Sequence, residues 1–391
     1  MRKTLNHISL VTAFLIVGVS LLFTGCSSPD KKSSEEAKVT AKETTIAASI
    51  PNKSVRVAAG TEFSMCLKAD GSVWTWGSDY SGQLGNGTMT PYKSLQKPGS
   101  VVPEKIIDSD VTSVSAGQNH AMALKKDGSV WGWGENLVGQ VGVAKEPYYT
   151  TPQQIVANGC KYVSAGYKHT VALMSDGSVW AWGMNNYGQL GDGTTTNSTV
   201  PKKVIDSGVI AITAGDICTF AIKSDGSLWA WGGNEKGLLG IEGAAEIHTP
   251  KKVIEKGVKK IDTNLGVNGY FTVAIRTDNS LWAWGELKRK EISTPRQILS
   301  GNVMDVAAGG GNILVNKSDG SLWAWYFNYG DRLGSKEPEE IFDRGVTDIA
   351  VGEGFYIAMK ADGTVWTWGR NVLGRLGNGT TNDSVAPNKI M

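Results

Sequence analysis

The sequence of 391 residues is short of charged side chains, and neither sign of charge is in excess. Charged residues make up 19%, below the usual quarter or so, while hydrophobic residues reach 41%. Such a chain can bury a large core, which excludes a disordered protein. The 39 Lys and Arg nearly balance the 37 Asp and Glu, so we expect no nucleic-acid partner, which would call for a basic surface.

Cysteine is also scarce, with four in the chain. Cys66, Cys160 and Cys218 are widely spaced and form no Cys-x-x-Cys pair, so neither a disulfide framework nor a zinc site is indicated. Cys66 and Cys218 lie in apolar runs and are expected to be small core residues. We expect no metal and no cofactor.

Long hydrophobic runs are absent except at the N-terminus. There Arg2 and Lys3 precede a mostly apolar stretch over residues 8–23, a pattern typical of a secretory signal peptide. A transmembrane anchor is the alternative, but it needs about 20 apolar residues and this run is slightly short. The stretch ends in Phe23-Thr24-Gly25-Cys26, which resembles a bacterial lipobox, whose cysteine receives a diacylglycerol.

The N-terminal pattern predicts three regions. Residues 1–25 would be a lipoprotein signal peptide, and Cys26 would carry the lipid. Residues 26–53 are polar and free of aromatics, as expected of a disordered tether. Residues 54–391 would form the folded domain, held at the extracytoplasmic face of the cell membrane.

Two residue types are abundant instead, with 49 Gly and 14 Trp. Every Trp belongs to a Trp-x-Trp pair, and successive pairs start 57, 49, 49, 53, 41 and 43 residues apart. A period of this size is typical of propellers and solenoids. The seven pairs are Trp74/Trp76, Trp131/Trp133, Trp180/Trp182, Trp229/Trp231, Trp282/Trp284, Trp323/Trp325 and Trp366/Trp368.

Each pair lies in a predicted β-hairpin. An Asp-Gly turn precedes it in six units, and Asp278-Asn279 takes that place in the fifth. Residues i and i+2 of a strand face the same side, so both Trp of a pair share a face that a core must cover. We therefore expect the Trp residues to pack between blades.

Two further strands complete the unit. An apolar run ending in Ala-Gly precedes the hairpin, and Pro-x-x-Ile/Val segments recur seven times, as expected of edge strands. Four short strands per unit predict an all-β, seven-bladed β-propeller. The first unit lacks an upstream Pro segment and the chain ends on a spare one at 387–390, so we expect this C-terminal strand to complete the first blade. An open solenoid would instead need capping repeats.

The unit over residues 164–194, SAGYKHTVALMSDGSVWAWGMNNYGQLGDGT, closely resembles the regulator of chromosome condensation repeat. The resemblance covers residues 54–391 and implies a seven-bladed β-propeller. The fifth unit departs from the pattern at Asn264-Leu265-Gly266, and the sixth has Tyr326 in place of Gly after its Trp pair. Irregular loops are expected there.

Catalytic motifs are missing. The sequence has no Walker P-loop, no H-E-x-x-H and no G-x-S-x-G, and its Ser-x-x-Lys matches lack companion motifs. His120 and His169 occupy the same repeat position, either as hydrogen-bonded structural residues or as functional ones. We expect no enzyme and no catalytic residues.

The resemblance implies that partners contact the loop after the Ala-Gly strand. It makes Glu62, Asn119, His120, Lys168, His169 and Asp216 the first interface candidates. Aromatic residues after the Trp pairs, which could equally pack between blades, form a second group: Tyr80, Tyr187, Phe327 and Tyr329.

The leading hypothesis is a monomeric, lipid-anchored interaction module that binds a protein or cell-wall partner. A concrete version is an enzyme inhibitor, because a secreted propeller of the family inhibits β-lactamases. A second hypothesis is guanine-nucleotide exchange on a small GTPase, against which the lipobox speaks. A third is a hydrolase with channel-facing carboxylate pairs.

Overall fold

The alternating apolar segments and their Asp-Gly turns form short antiparallel strands. A computed structural model describes residues 56–91, 97–264, 269–287, 290–326 and 338–391, which belong to one compact unit. The predicted signal peptide (1–25), the tether (26–53) with Cys26, and the candidates Phe327 and Tyr329 lie outside the described residues.

Each repeat unit forms one sheet of four strands that pair in chain order, and we number these seven sheets as blades 1 to 7. The first strands are Val57–Ala59, Val111–Ala116, Cys160–Ala165, Val209–Ala214, Val258–Thr263, Val303–Gly309 and Val346–Val351. The second strands are Phe63–Leu67, His120–Lys125, His169–Met174, Cys218–Lys223, Phe271–Arg276, Asn312–Lys317 and Phe355–Lys360.

The third and fourth strands carry the Trp pairs and the Pro segments. The third strands are Val73–Gly77, Val130–Glu135, Val179–Gly183, Leu228–Gly233, Leu281–Leu287, Leu322–Tyr326 and Val365–Gly369. The fourth strands are Ser100–Ile107, Tyr148–Val156, Ser198–Ile205, Glu246–Ile254, Lys290–Leu299, Glu339–Phe342 and Ser384–Lys389.

The all-β, seven-bladed propeller is thus confirmed. Helical structure in the described ranges is limited to the 3-10 turns Glu235–Gly237 and Val372–Gly374. In the same ranges no helix has the length and apolar character needed to span a bilayer.

The second Trp of a pair joins its blade to the preceding one. Trp231 is fully buried, and its indole Nε1–H donates to the Gln189 carbonyl in the loop of blade 3 at 2.9 Å. The Thr219 hydroxyl donates to the same carbonyl oxygen at 2.7 Å. The same kind of indole bond to a loop carbonyl recurs in four other blades: Trp76 to Arg375, Trp133 to Gln83, Trp182 to Gln140 and Trp284 to Leu238.

The first Trp of a pair is half-buried and is held within its own blade. The Trp229 indole Nε1–H donates to the Ser227 hydroxyl of its turn at 2.9 Å, and the Lys223 ammonium lies 4.0 Å from its ring centroid. The Asp225 carboxylate in turn accepts the Ser227 backbone N–H at 2.8 Å. The Asp-Gly turn therefore fixes the outer Trp as well as the chain reversal.

The innermost strands are joined by side chains rather than by a shared ladder. The Ser115 hydroxyl accepts the Ala165 N–H at 2.9 Å, and the Ser164 hydroxyl accepts the Ala214 N–H at 3.0 Å. Asp262 and Asp348 accept backbone N–H groups of blades 6 and 1 in the same way. These bonds satisfy strand edges that face the next blade.

The ring closes between blades 7 and 1, with one correction to the expected pairing. The C-terminal strand Ser384–Lys389 pairs with Val365–Gly369 of blade 7, whereas Ser100–Ile107 is the fourth strand of blade 1. The reason is phase, because each Pro segment completes the sheet of the Trp pair before it. Ile390 and Met391 still reach the hydrophobic cluster that blades 7 and 1 share.

Replacing Trp231 by Ala should lower the free energy of unfolding by about 3–5 kcal/mol, because a fully buried aromatic ring and its indole donor are both lost. Trp229→Ala is the matched control, since the half-buried Trp229 lies two residues away on the same strand. Urea unfolding should show the larger loss for Trp231→Ala. Equal losses would contradict the assigned roles.

Candidate functional site

Strand order brings two sets of loops to one end of the ring. In the blades whose loops are described, the loop between the first and second strands lies beside the loop that follows the third strand, as the His120–Gly134 pairing shows in blade 2. We call this end the loop face. The Asp-Gly turns lie at the opposite end.

His120 and His169 have the contacts of structural residues. Both are fully buried, and each Nε2 lies 3.0 Å from a threonine hydroxyl of the next blade, Thr170 or Thr219. Because both hydroxyls donate to loop carbonyls, the hydroxyl oxygen accepts from the imidazole, which assigns the Nε2–H tautomer. Burial lowers the pKa of His120 to about 4 and that of His169 to about 3, so both rings are neutral.

Asn119 and Lys168 both bind the carboxylate of Glu135, a residue that the sequence analysis did not single out. The Lys168 ammonium lies 2.8 Å from Glu135 Oε1, and the Asn119 amide donates to Oε2 at 3.0 Å. Burial would raise the pKa of Glu135, but these hydrogen bonds and the Lys168 charge outweigh it and lower the pKa. The cluster joins the loops of blades 2 and 3 into one polar surface.

Glu62 lies at the closure of the ring, beside the buried Arg375. One Glu62 carboxylate oxygen is 3.5 Å from Arg375 Nη2, and Arg375 Nη1 donates to the Glu353 carbonyl at 3.0 Å. Burial raises the pKa of Glu62, against the attraction of Arg375. Tyr80 is half-buried nearby, and burial together with the Glu62 charge raises its pKa.

Asp216 is a nearly buried carboxylic acid with a raised pKa. Its residue is 7% exposed, and burial followed by repulsion from Glu235 raises its pKa to about 6. Burial and the Glu235 charge also raise the pKa of Tyr270 to about 12. Tyr187 packs with Tyr270 against the core shared by blades 4 and 5, so it is at least partly structural.

Three exposed apolar residues in the loops of the loop face escaped the sequence analysis, and one of them is Met89 of blade 1, which is 44% exposed. Leu137 is 58% exposed and Val372 is 53% exposed. Each directly follows a buried asparagine, Asn136 or Asn371, at the same repeat position that Tyr80 holds in blade 1. That shared position is the signal that could have identified them.

The inner-strand carboxylates are tied to structure. Asp262 and Asp348 accept N–H groups of neighbouring blades, and Asp305 forms an ion pair with Lys260. Burial raises the pKa of Asp262 to about 6. In the described ranges no three His, Cys, Asp or Glu side chains group as a metal site would require.

The arrangement defines a class of protein: a seven-bladed repeat propeller with a rigid ring and a polar loop face. The family sequence model of the RCC1-like domain matches residues 24–294, and models of the regulator of chromosome condensation (RCC1) repeat match 346–375 and 362–391. The chain therefore belongs to the RCC1-like domain family.

Relatives match over short stretches. Human probable E3 ubiquitin-protein ligase HERC6 is 39% identical over 93 residues, which are 23% of this chain and 8% of the relative. Human protein RCC2 is 34% identical over 83 residues, or 21% of this chain and 15% of the relative. The matched regions thus cover less than a fifth of the length of each of these two relatives.

Solved structures share the fold over most of the chain. Human WBSCR16 has a TM-score of 0.70 at 23% identity, covering 82% of this chain and 94% of that one. Prp20p of Saccharomyces cerevisiae also has a TM-score of 0.70, at 21% identity, with coverages of 84% and 87%. At these identities the likeness concerns the fold.

Proposed function

We propose that this protein is a non-enzymatic interaction module that binds a protein or cell-wall partner through its loop face, while a lipid on Cys26 anchors it at the extracytoplasmic side of the membrane. The observation that supports it most directly is the exposure of Leu137 and Val372 among polar loops. Exposed apolar residues with a polar rim are typical of protein interfaces.

The rigidity of the ring supports a binding role. Loop carbonyls such as that of Gln189 are fixed by two hydrogen bonds from the next blade, so the loop backbone is held before a partner arrives. A preorganised surface loses little conformational entropy on binding. Asn119 and Lys168 are held by Glu135 in the same manner.

Structural neighbours support the same class of role. Prp20p has been studied for its binding to Gsp1p and histones, and a further structure shows Kap60 bound to it. For this chain, exchange on a small GTPase is the second candidate, favoured by the shared fold. Inhibition of an enzyme, as by β-lactamase inhibitors, is a third form of the same binding role.

The anchor is tested by metabolic labelling with a radioactive fatty acid. The wild-type chain should incorporate lipid and sediment with membranes, whereas Cys26→Ser should do neither. Cys66→Ser provides the control, because Cys66 is fully buried inside blade 1 and should leave labelling intact. Labelling of Cys26→Ser would contradict the anchor.

The loop face is tested by crosslinking on intact cells, followed by affinity capture. The double variant Leu137→Asp/Val372→Asp should capture at least about tenfold less partner, because charges replace the exposed apolar contacts. A tenfold loss of affinity corresponds to about 1.4 kcal/mol. Met304→Asp is the matched control, because Met304 is 47% exposed and follows Val303, which pairs with Lys317 at the end of the ring opposite the loop face.

Unchanged capture by the double variant would exclude this face as the binding surface. Capture of a GTPase with accelerated nucleotide release would favour the exchange hypothesis over the anchored module. A partner enzyme whose activity falls on binding would favour the inhibitor.

A further inference from the structure

The long loop of blade 1 begins with an acid where four other loops begin with asparagine. Asp79 is fully buried, as is its counterpart Asn185 in blade 3. In all five loops the side-chain Oδ1 accepts the backbone N–H five residues later, at 2.8–3.1 Å. The five pairs are Asp79/Leu84, Asn136/Val141, Asn185/Leu190, Asn234/Leu239 and Asn371/Leu376.

The Nδ2 group of each asparagine side chain faces oxygen atoms. Asn185 Nδ2 donates to the carbonyls of Thr194 at 2.9 Å and Thr196 at 3.1 Å, and it lies 3.2 Å from the Thr194 hydroxyl. Asn371 Nδ2 likewise donates to the Thr380 carbonyl at 2.9 Å. The amide hydrogens thus hold the loop together by filling a pocket of acceptors.

In blade 1 the second carboxyl oxygen of Asp79, Oδ2, takes the position of this Nδ2 group. Asp79 Oδ2 lies 3.1 Å from the Thr88 hydroxyl, and that hydroxyl lies 2.7 Å from Asn86 Oδ1. The Thr194 and Thr380 hydroxyls make the same short bond, at 2.7 Å to Asp192 and 2.8 Å to Asn378. One hydroxyl hydrogen serves one acceptor, so the Thr88 oxygen offers a lone pair to Asp79.

We propose that Asp79 is a protonated carboxylic acid that replaces the loop amide, with Oδ2–H donating to the Thr88 hydroxyl oxygen, and that its ionisation loosens residues 79–90 of the loop face. A neutral acid supplies one hydrogen where asparagine supplies two, whereas a carboxylate supplies none and faces acceptors. The hydrogen bond between Asp79 and Thr88 would therefore control the order of this loop with pH, directly beside the interface candidate Tyr80.

The surroundings favour the neutral form. Burial raises the pKa of Asp79 to about 6, against the Leu84 N–H that its carboxyl group accepts, and Glu104 of the fourth strand adds repulsion. Glu104 also accepts a hydrogen bond from the Asn86 amide at 2.8 Å. Blade 2 reaches this loop with two uncharged groups, the Thr150 backbone carbonyl and the Trp133 indole.

The sign of the pH effect follows from the raised pKa. Because the folded state holds the proton more tightly than the unfolded chain, Asp79 stabilises the fold fully below about pH 4. That contribution is lost as the pH rises through about 6. A two-unit shift corresponds to about a hundredfold difference in proton affinity between the two states.

The test compares the full chain with Asp79→Asn and with the reverse exchange Asn185→Asp, at about pH 4.5 and about pH 7.5. At the higher pH, Asp79→Asn should raise the Tm by about 2 °C or more and protect the amides of residues 84–90 from deuterium exchange. At the lower pH both differences should shrink. Asn185→Asp should create a pH-dependent loosening in residues 185–196.

Two results would overturn the proposal. In the first, Asp79→Asn shows a Tm and loop exchange that run parallel to wild type at both pH values. In the second, calcium chloride restores loop protection to wild type but not to Asp79→Asn at the higher pH, which would show that a cation rather than a proton fills the pocket.

Discussion

At five blade junctions, one loop carbonyl oxygen that accepts an indole N–H from the neighbouring blade is the interaction on which the architecture depends. In the Gln140, Gln189, Leu238 and Arg375 junctions it accepts an indole N–H and a hydroxyl from the next blade. Two donors satisfy both lone pairs of a buried acceptor, which would otherwise cost about 1–3 kcal/mol. Each acceptor lies in a Gly-rich turn, where Gly191 has a φ of +80° and a Cβ would lie 2.6 Å from the Trp231 nitrogen.

That constraint links the fold to the loop face. The residues whose carbonyls bind the next blade lie within the same loops that present Tyr80, Leu137, Tyr187 and Val372. Packing between blades therefore fixes the loop backbones, and the side chains between the fixed points are free to vary from blade to blade. This division allows one scaffold to present a specific surface.

The sequence predicted the regular parts of this structure. Trp spacing and Asp-Gly turns led to seven four-stranded blades because those residues act locally within each hairpin. The closure differed in pairing, since local patterns do not tell whether a Pro segment belongs to the sheet before or after it. Glu135 and Arg375 were missed for a related reason, because their roles depend on partners in other loops. Arg375 and its partner Glu62, for example, are 313 residues apart in the sequence.

The central claim is that in blades 1 to 5 the indole N–H of the second Trp bonds its blade to the preceding one. Nuclear magnetic resonance of indole-labelled protein measures it directly, through the hydrogen exchange of each Trp Nε1–H. The indoles of Trp76, Trp133, Trp182, Trp231 and Trp284 should exchange together and only through global unfolding, while the half-buried first Trp of each pair exchanges faster. Rapid exchange at those five indoles, or exchange at unrelated rates, would contradict the account.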